Sequence, residues 1–197
     1  MPKVVDHQQM REQLAEIVCR SISQSGLENT TMRELAKAAG CTTGLITHYF
    51  PNKNTLLIAA IRHAAGNQLA RMEEAANNSP LDLVLIFSRN LPLYEDDKIA
   101  MNVWLALWNQ SLINTELAAV QRGIHRQYLK LFQQALATAG VVTDEKKALA
   151  QAERLLAFIN GISIQVLQDL THWPADRQIE ELKYFLLHLF PDWMTAN

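Results

Sequence analysis

Apolar residues recur along this chain at intervals of three and four, the spacing that puts one stripe on an α-helix. Met10, Leu14, Ile17, Val18 and Ile22 predict a helix over 6–24 that ends near Gly26. Thr31 and Glu34 stand at capping-box spacing ahead of Leu35, Ala36 and Ala39, and Gly40 supplies the freedom to end that short helix. Thr42 is a good N-cap for another short helix that ends in Tyr49 and Phe50. Asn52 is the expected cap of a fourth helix, running to about residue 76 with Leu56, Leu57, Ala60, Ile61 and Ala64 on its apolar face. Asn77-Asn78-Ser79-Pro80 breaks the pattern, with Pro80 at the expected start of the next helix. Further helices are expected over 80–90, 96–112, 115–139, 143–170 and 175–189, separated around Pro92, Gly140 and Pro174. The fold class is therefore all-α: a three-helix N-terminal domain, residues 1–51, followed by a larger helical domain, residues 52–197.

Two short helices joined by a glycine turn have the layout of a DNA-reading helix-turn-helix. In the second, Thr42, Thr43, Gly44, Thr47 and His48 fall on or near the outer face, while Leu45, Ile46 and Tyr49 or Phe50 anchor it. Small polar groups on a short helix are what a major groove admits. Gly44 allows close backbone approach. Tyr49 is ambiguous, its ring suited to the core and its hydroxyl to a phosphate. Lys53, at the next helix start, is placed for a backbone phosphate, and Arg33 for either a phosphate or plain solvation. An ordinary helical hairpin is the competing reading.

The run from Thr31 to Leu56, including Phe50-Pro51-Asn52-Lys53, resembles the TetR family of one-component repressors. Gly40, Thr42, Gly44, Phe50, Lys53 and Leu56 fall where that pattern wants them. Gly44-Leu45-Ile46-Thr47-His48-Tyr49-Phe50 departs from the commoner Leu-Tyr-Tyr-His-Phe ending and is similar to the choline-sensing betaine-pathway repressors, as is Met101-Asn102-Val103-Trp104-Leu105-Ala106-Leu107-Trp108. The resemblance implies a homodimer on palindromic double-stranded operator DNA, released when a small-molecule inducer enters the larger domain and pulls on the fourth helix.

Composition alters this picture little. The net charge is −2, but residues 1–62 carry +2 and residues 63–197 carry −4, too small an asymmetry to identify a DNA binder unaided. Cys19 and Cys41 stand without a second pair, which argues against a zinc or disulfide framework and fits a reducing cytoplasm. The first nine residues lack the apolar core of a signal peptide, and no apolar run approaches a membrane span. Six dispersed histidines, no His-Glu-x-x-His and no phosphate-cradling glycine loop leave an enzyme reading, a metal site or a cofactor without support.

For the larger domain the residues leave alternatives open. Trp104 and Trp108 share a helix face and suit a cation, gaining about 0.5–2 kcal/mol over an indole, or simply pack a core. Asn160 and Gln165 interrupt an apolar helix as ligand-orienting amides, dimer contacts or exposed residues. Phe87, Tyr94, His125 and Tyr128 are further pocket candidates, and Tyr94 leads an acidic run, Glu95-Asp96-Asp97, that either adds anionic groups to the pocket or reads as a solvated helix start. Leu155, Leu156, Ile159, Ile162 and Val166, with Leu182, Phe185, Leu186 and Leu189, cover more than one helix face and predict a four-helix dimer seam, or else a core that engulfs them. The ligand expected is choline or another amine. Rival readings are a sensor of cationic drugs or polyamines controlling an efflux pump, a helical protein-interaction module, and a small helical enzyme.

Overall fold

The computed structural model describes residues 7–191 and residue 193, and its described elements are all helical. They are α1 (His7–Asn29), α2 (Met32–Ala38), α3 (Thr43–Tyr49), α4 (Lys53–Asn78), α5 (Leu83–Ser88), α6 (Glu95–Ser111), α7 (Thr115–Thr138), α8 (Glu145–Gln168) and α9 (Ala175–Leu189). The expected start of α1 at residue 6 lies outside the described residues. Gly26, at φ 77° and ψ 165°, is non-helical, so the first helical stretch of α1 ends there as expected, and a second short stretch continues beyond the kink to Asn29.

Local capping chemistry sets most boundaries. The Thr31 hydroxyl accepts from the Glu34 amide at 3.2 Å, and the Thr42 hydroxyl accepts from the Leu45 amide at 3.2 Å. Between them Gly40 takes φ 61°, so the Cys41 amide donates back to the Ala36 carbonyl and the Gly40 amide to Lys37. That paired closure needs a left-handed residue, which only glycine adopts at no steric cost. Gly140 closes α7 by the same geometry, its amide donating to Ala137 and that of Val141 to Leu136. Asn52 caps α4, its side-chain oxygen accepting from the Thr55 amide at 2.9 Å.

The fifth helix is shorter than its apolar pattern. Asp82, not Pro80, is the N-cap, accepting from the Leu85 amide at 2.8 Å. At the other end Arg89, Asn90 and Leu91 donate to carbonyls three residues back, tightening the chain ahead of Pro92.

The helices form two compact units, one comprising residues up to Gly66 with Ile99–Arg122, the other Asn67–Lys98 with Gly123 onward. In the first, α2 packs on α1 and α3 around Leu14, Val18, Leu35, Ile46 and Phe50. In the second, α9 packs on α5 and α8 around Phe87, Phe132, Leu155, Ile159, Leu182 and Leu186. Helices α4, α6 and α7 each run through both units.

The residues assigned to a dimer seam are placed differently from that expectation. Leu155, Leu156, Ile159, Ile162, Val166, Leu182 and Leu186 are buried within the chain itself, and Phe185 and Leu189 are half-buried. For those seven burial is complete without a partner, because α8 and α9 bury these faces inside their own unit.

Candidate DNA-reading surface and ligand cavity

The hairpin separates its anchors from its contacts. Ile46, Tyr49 and Phe50 are buried and Leu45 is half-buried, whereas Thr42, Thr43, Gly44, Thr47 and His48 are exposed. The Thr47 hydroxyl donates within α3, lying 3.2 Å from the Thr43 carbonyl and 3.1 Å from that of Gly44, which leaves its oxygen free to accept. A Cβ built on Gly44 would meet only the Thr42 hydroxyl, at 3.8 Å, an ordinary contact. The chain's own packing therefore does not require glycine there.

Tyr49 resolves toward the core. Its ring is buried, and its hydroxyl lies 3.1 Å from Nδ1 of His7 on α1, with His48 packed edge-on against it. Lys53 is exposed at the start of α4 and donates from Nζ to the Leu27 carbonyl at 3.3 Å, which holds the ammonium beside the hairpin. Arg33 is exposed on α2.

The ligand candidates are distributed over both compact units. Trp104 and Trp108 belong to the first unit, and Phe87, Tyr94, His125, Tyr128, Asn160 and Gln165 to the second. The two indoles stack on each other, centroids 4.8 Å apart and 29° between planes, so no cation fits between them and only their outer faces remain. Trp108 is 46% exposed. Phe87 is core, packed against Phe132. His125 and Gln165 are exposed and Asn160 is half-buried. Tyr128 is buried and donates to Oε1 of Gln68 at 2.9 Å. Burial pushes its phenol well up.

Three polar residues sit nearby; Gln68 and Arg71 were not foreseen from the sequence, and Asp97 was weighed only as part of the acidic run. Gln68 is buried on α4, and among the described residues its Nε2 has no hydrogen-bond partner. Arg71, one turn further on, forms an ion pair with Asp97 of α6. Asp97 also accepts from the Tyr94 amide at 3.1 Å, so it caps α6 and closes the ion pair at once. Burial pushes its carboxyl above the ordinary carboxylate range, and the Arg71 guanidinium pulls it back. The acidic run is thus no simple solvated helix start: its third residue is buried. A half-open cavity of about 280 Å³ lies here, lined by Arg71, Ser88, Arg89, Leu93, Tyr94, Asp96 and Asp97. The available signal was Gln68 itself, a polar residue in the apolar register of Ala64, Ala65, Leu69 and Met72.

A capped hairpin with an apolar inner face and small polar groups outside, set in an all-helical chain, defines a helix-turn-helix regulator. Residues 19–60 match the bacterial regulatory proteins of the tetR family, and residues 82–191 match the C-terminal domain of BetI-type transcriptional repressors. The HTH-type transcriptional regulator BetI of Burkholderia ambifaria is 33% identical over 170 residues, covering 82% of this chain and 84% of that protein. Its counterpart in Burkholderia thailandensis is 31% identical over 169 residues, with the same coverage. Among solved structures, a transcriptional regulator from Rhodococcus superposes with a TM-score of 0.80 at 25% identity over 91% of this chain and 95% of that one. A regulator from Saccharomonospora viridis, solved in complex with choline, superposes at 0.77 and 25% identity over 92% and 97%. The chain belongs to the TetR family, as a BetI-type transcriptional repressor. Its relatives are regulators, not enzymes, and no described helix is long and apolar enough to cross a membrane.

Proposed function

We propose that this repressor binds a two-fold operator as a homodimer and lets go when a small organic cation, choline first among candidates, occupies the larger domain. Residues 1–51 read DNA, and residues 52–197 sense and dimerise. One observation carries the DNA reading: Thr43, Gly44, Thr47 and His48 are exposed together while the anchors of the same helix are buried. The open space before Gly44 supports it, since a glycine the fold does not need leaves room for a phosphate or base edge. Phosphate contacts from Lys53 and Arg33 set register, and contacts from Thr43, Thr47 and His48 carry sequence preference. Two-fold heads require half-sites about 34–36 Å apart or a multiple of that spacing. Choline is favoured over drugs or polyamines by the choline-bound relative and the BetI-type domain.

The dimer seam we propose uses the faces of α8 and α9 that the chain leaves uncovered. Ala157, Phe158, Gly161 and Gln165 form one partly exposed stripe, and Glu181, Tyr184, Phe185 and His188 another. Phe158 and Phe185 stack at 3.9 Å and bind the two stripes into one surface. Release then requires that ligand prefer a head spacing unlike that of the operator, because only differential affinity shifts the equilibrium.

The test is fluorescence anisotropy with the DNA upstream of the protein's own gene. Lys53→Ala should weaken binding to all sequences and flatten the salt dependence, because one counterion-releasing contact is lost. Thr43→Ala and His48→Ala should change sequence preference instead. A folded triple variant that binds like wild type overturns the assignment of this surface.

A further inference from the structure

Arg71 and Asp97 form a charge pair whose two members differ in access to water. The Asp97 side chain is 7% exposed and that of Arg71 is 38% exposed. Both line the cavity of about 280 Å³, so a ligand entering it touches the pair directly. Which member yields follows from desolvation. Displacing Asp97 strands a carboxylate in the interior, a heavy penalty, whereas Arg71 can turn its guanidinium into water. The charged wall, Arg71, Arg89, Asp96 and Asp97, is neutral in sum, and departure of Arg71 leaves an excess negative charge that an entering cation restores. Tyr94, 65% exposed and also on the wall, offers an aromatic face for the same cation.

We propose that this cavity is a cation-exchange site: a small organic ammonium ion takes the place of Arg71 on Asp97, with Tyr94 against its flank, and frees α4 from the start of α6. The proposal rests on the reading of the chain as a cation-responsive repressor and names the counter-ion that reading lacks. Arg71 donates to the carboxylate through N–H, so an ammonium carrying N–H replaces the bond in kind, while a quaternary ammonium replaces only the charge. A cavity of about 280 Å³ is of a size that suits a small ammonium ion.

Calorimetry on the full-length protein would use choline and protonated dimethylaminoethanol as probes, with operator binding measured in parallel. Asp97→Asn keeps the acceptor for the Tyr94 amide but loses the charge, and should weaken ammonium binding at least tenfold. Arg71→Met removes the resident competitor and should tighten it severalfold. Opposite signs are the mark of exchange, since a merely structural pair would weaken binding in both variants. Equal shifts in the two variants, or unchanged affinity in folded Asp97→Asn, overturn the proposal. If Asp97→Asn fails to fold, Arg71→Met decides alone: tighter binding supports exchange, and unchanged or weaker binding overturns it. Binding of dimethylaminoethanol without choline upholds the site and rejects choline as inducer, whereas a wild-type protein that binds operator but neither amine rejects the site and leaves the DNA reading intact.

Discussion

The α2–α3 hairpin and the polar cluster on α4 use hydrogen bonds in opposite ways. In the hairpin, Thr31 and Thr42 bond amides three residues ahead, Gly40 closes back on the same turn, and the polar groups beyond these caps face water. Around α4, Tyr128 reaches Gln68 across 60 residues and Arg71 reaches Asp97 across 26, with Gln68, Tyr128 and Asp97 buried. The first arrangement gives a rigid exposed surface at little cost. The second places polar groups where an unmet bond is expensive, so their pairing is sensitive to whatever enters beside them. Rigidity suits a surface that must match a groove, and conditional pairing suits a sensor.

The largest effect should come from the hairpin's anchor. Phe50 is fully buried with Arg11 over its ring. Phe50→Ala should cost about 3–5 kcal/mol, seen in thermal melts, with operator binding lost. A loss under 1 kcal/mol would mean that the hairpin does not depend on this anchor. Next comes the buried pair: Tyr128→Phe strands the Gln68 oxygen and should cost about 1–3 kcal/mol. Operator affinity in the absence of ligand should stay near wild type. Smallest is Gly44→Ala, which should leave stability unchanged or raise it by up to about 1 kcal/mol, because nothing in the chain opposes the added methyl. Operator affinity should fall at least tenfold, and unaltered affinity would remove Gly44 from the reading surface.

The cysteines offer a chemical form of the same comparison. Burial pushes the Cys19 thiol up to about 12, while Cys41 beside Gly40 is half-buried. A thiol reagent at pH 8 should label Cys19 only on unfolding. Labelling of both at equal rates would contradict the packed core of α1.

How much of this the sequence revealed follows the same division. Thr31, Gly40, Thr42, Asn52 and Gly140 act within one turn of themselves, so their roles and the boundaries they set were legible, and the last helix matched at both ends. Phe87, Gln68 and Asp97 depend on neighbours far along the chain, and no local pattern brings those together. The apolar stripe of Leu155, Ile159, Ile162 and Val166 shows why: its period reports that a face is buried, not what buries it. The seam was expected between chains, and the structure places that stripe in the chain's own core. Stacking of Trp104 on Trp108 was equally invisible, since helical spacing fixes that two indoles are neighbours but not that they occupy each other's faces.

The proposed coupling joins DNA binding by one surface to its release by an organic cation. Its most direct test is a titration of choline into the complex of wild-type protein with a labelled operator fragment, read by anisotropy and by light scattering on the same sample. Two chains per two-fold site are expected, with a saturable fall in anisotropy on adding choline that equal concentrations of sodium chloride do not reproduce. A complex of one chain per site, or one that choline leaves intact at saturation, would contradict it.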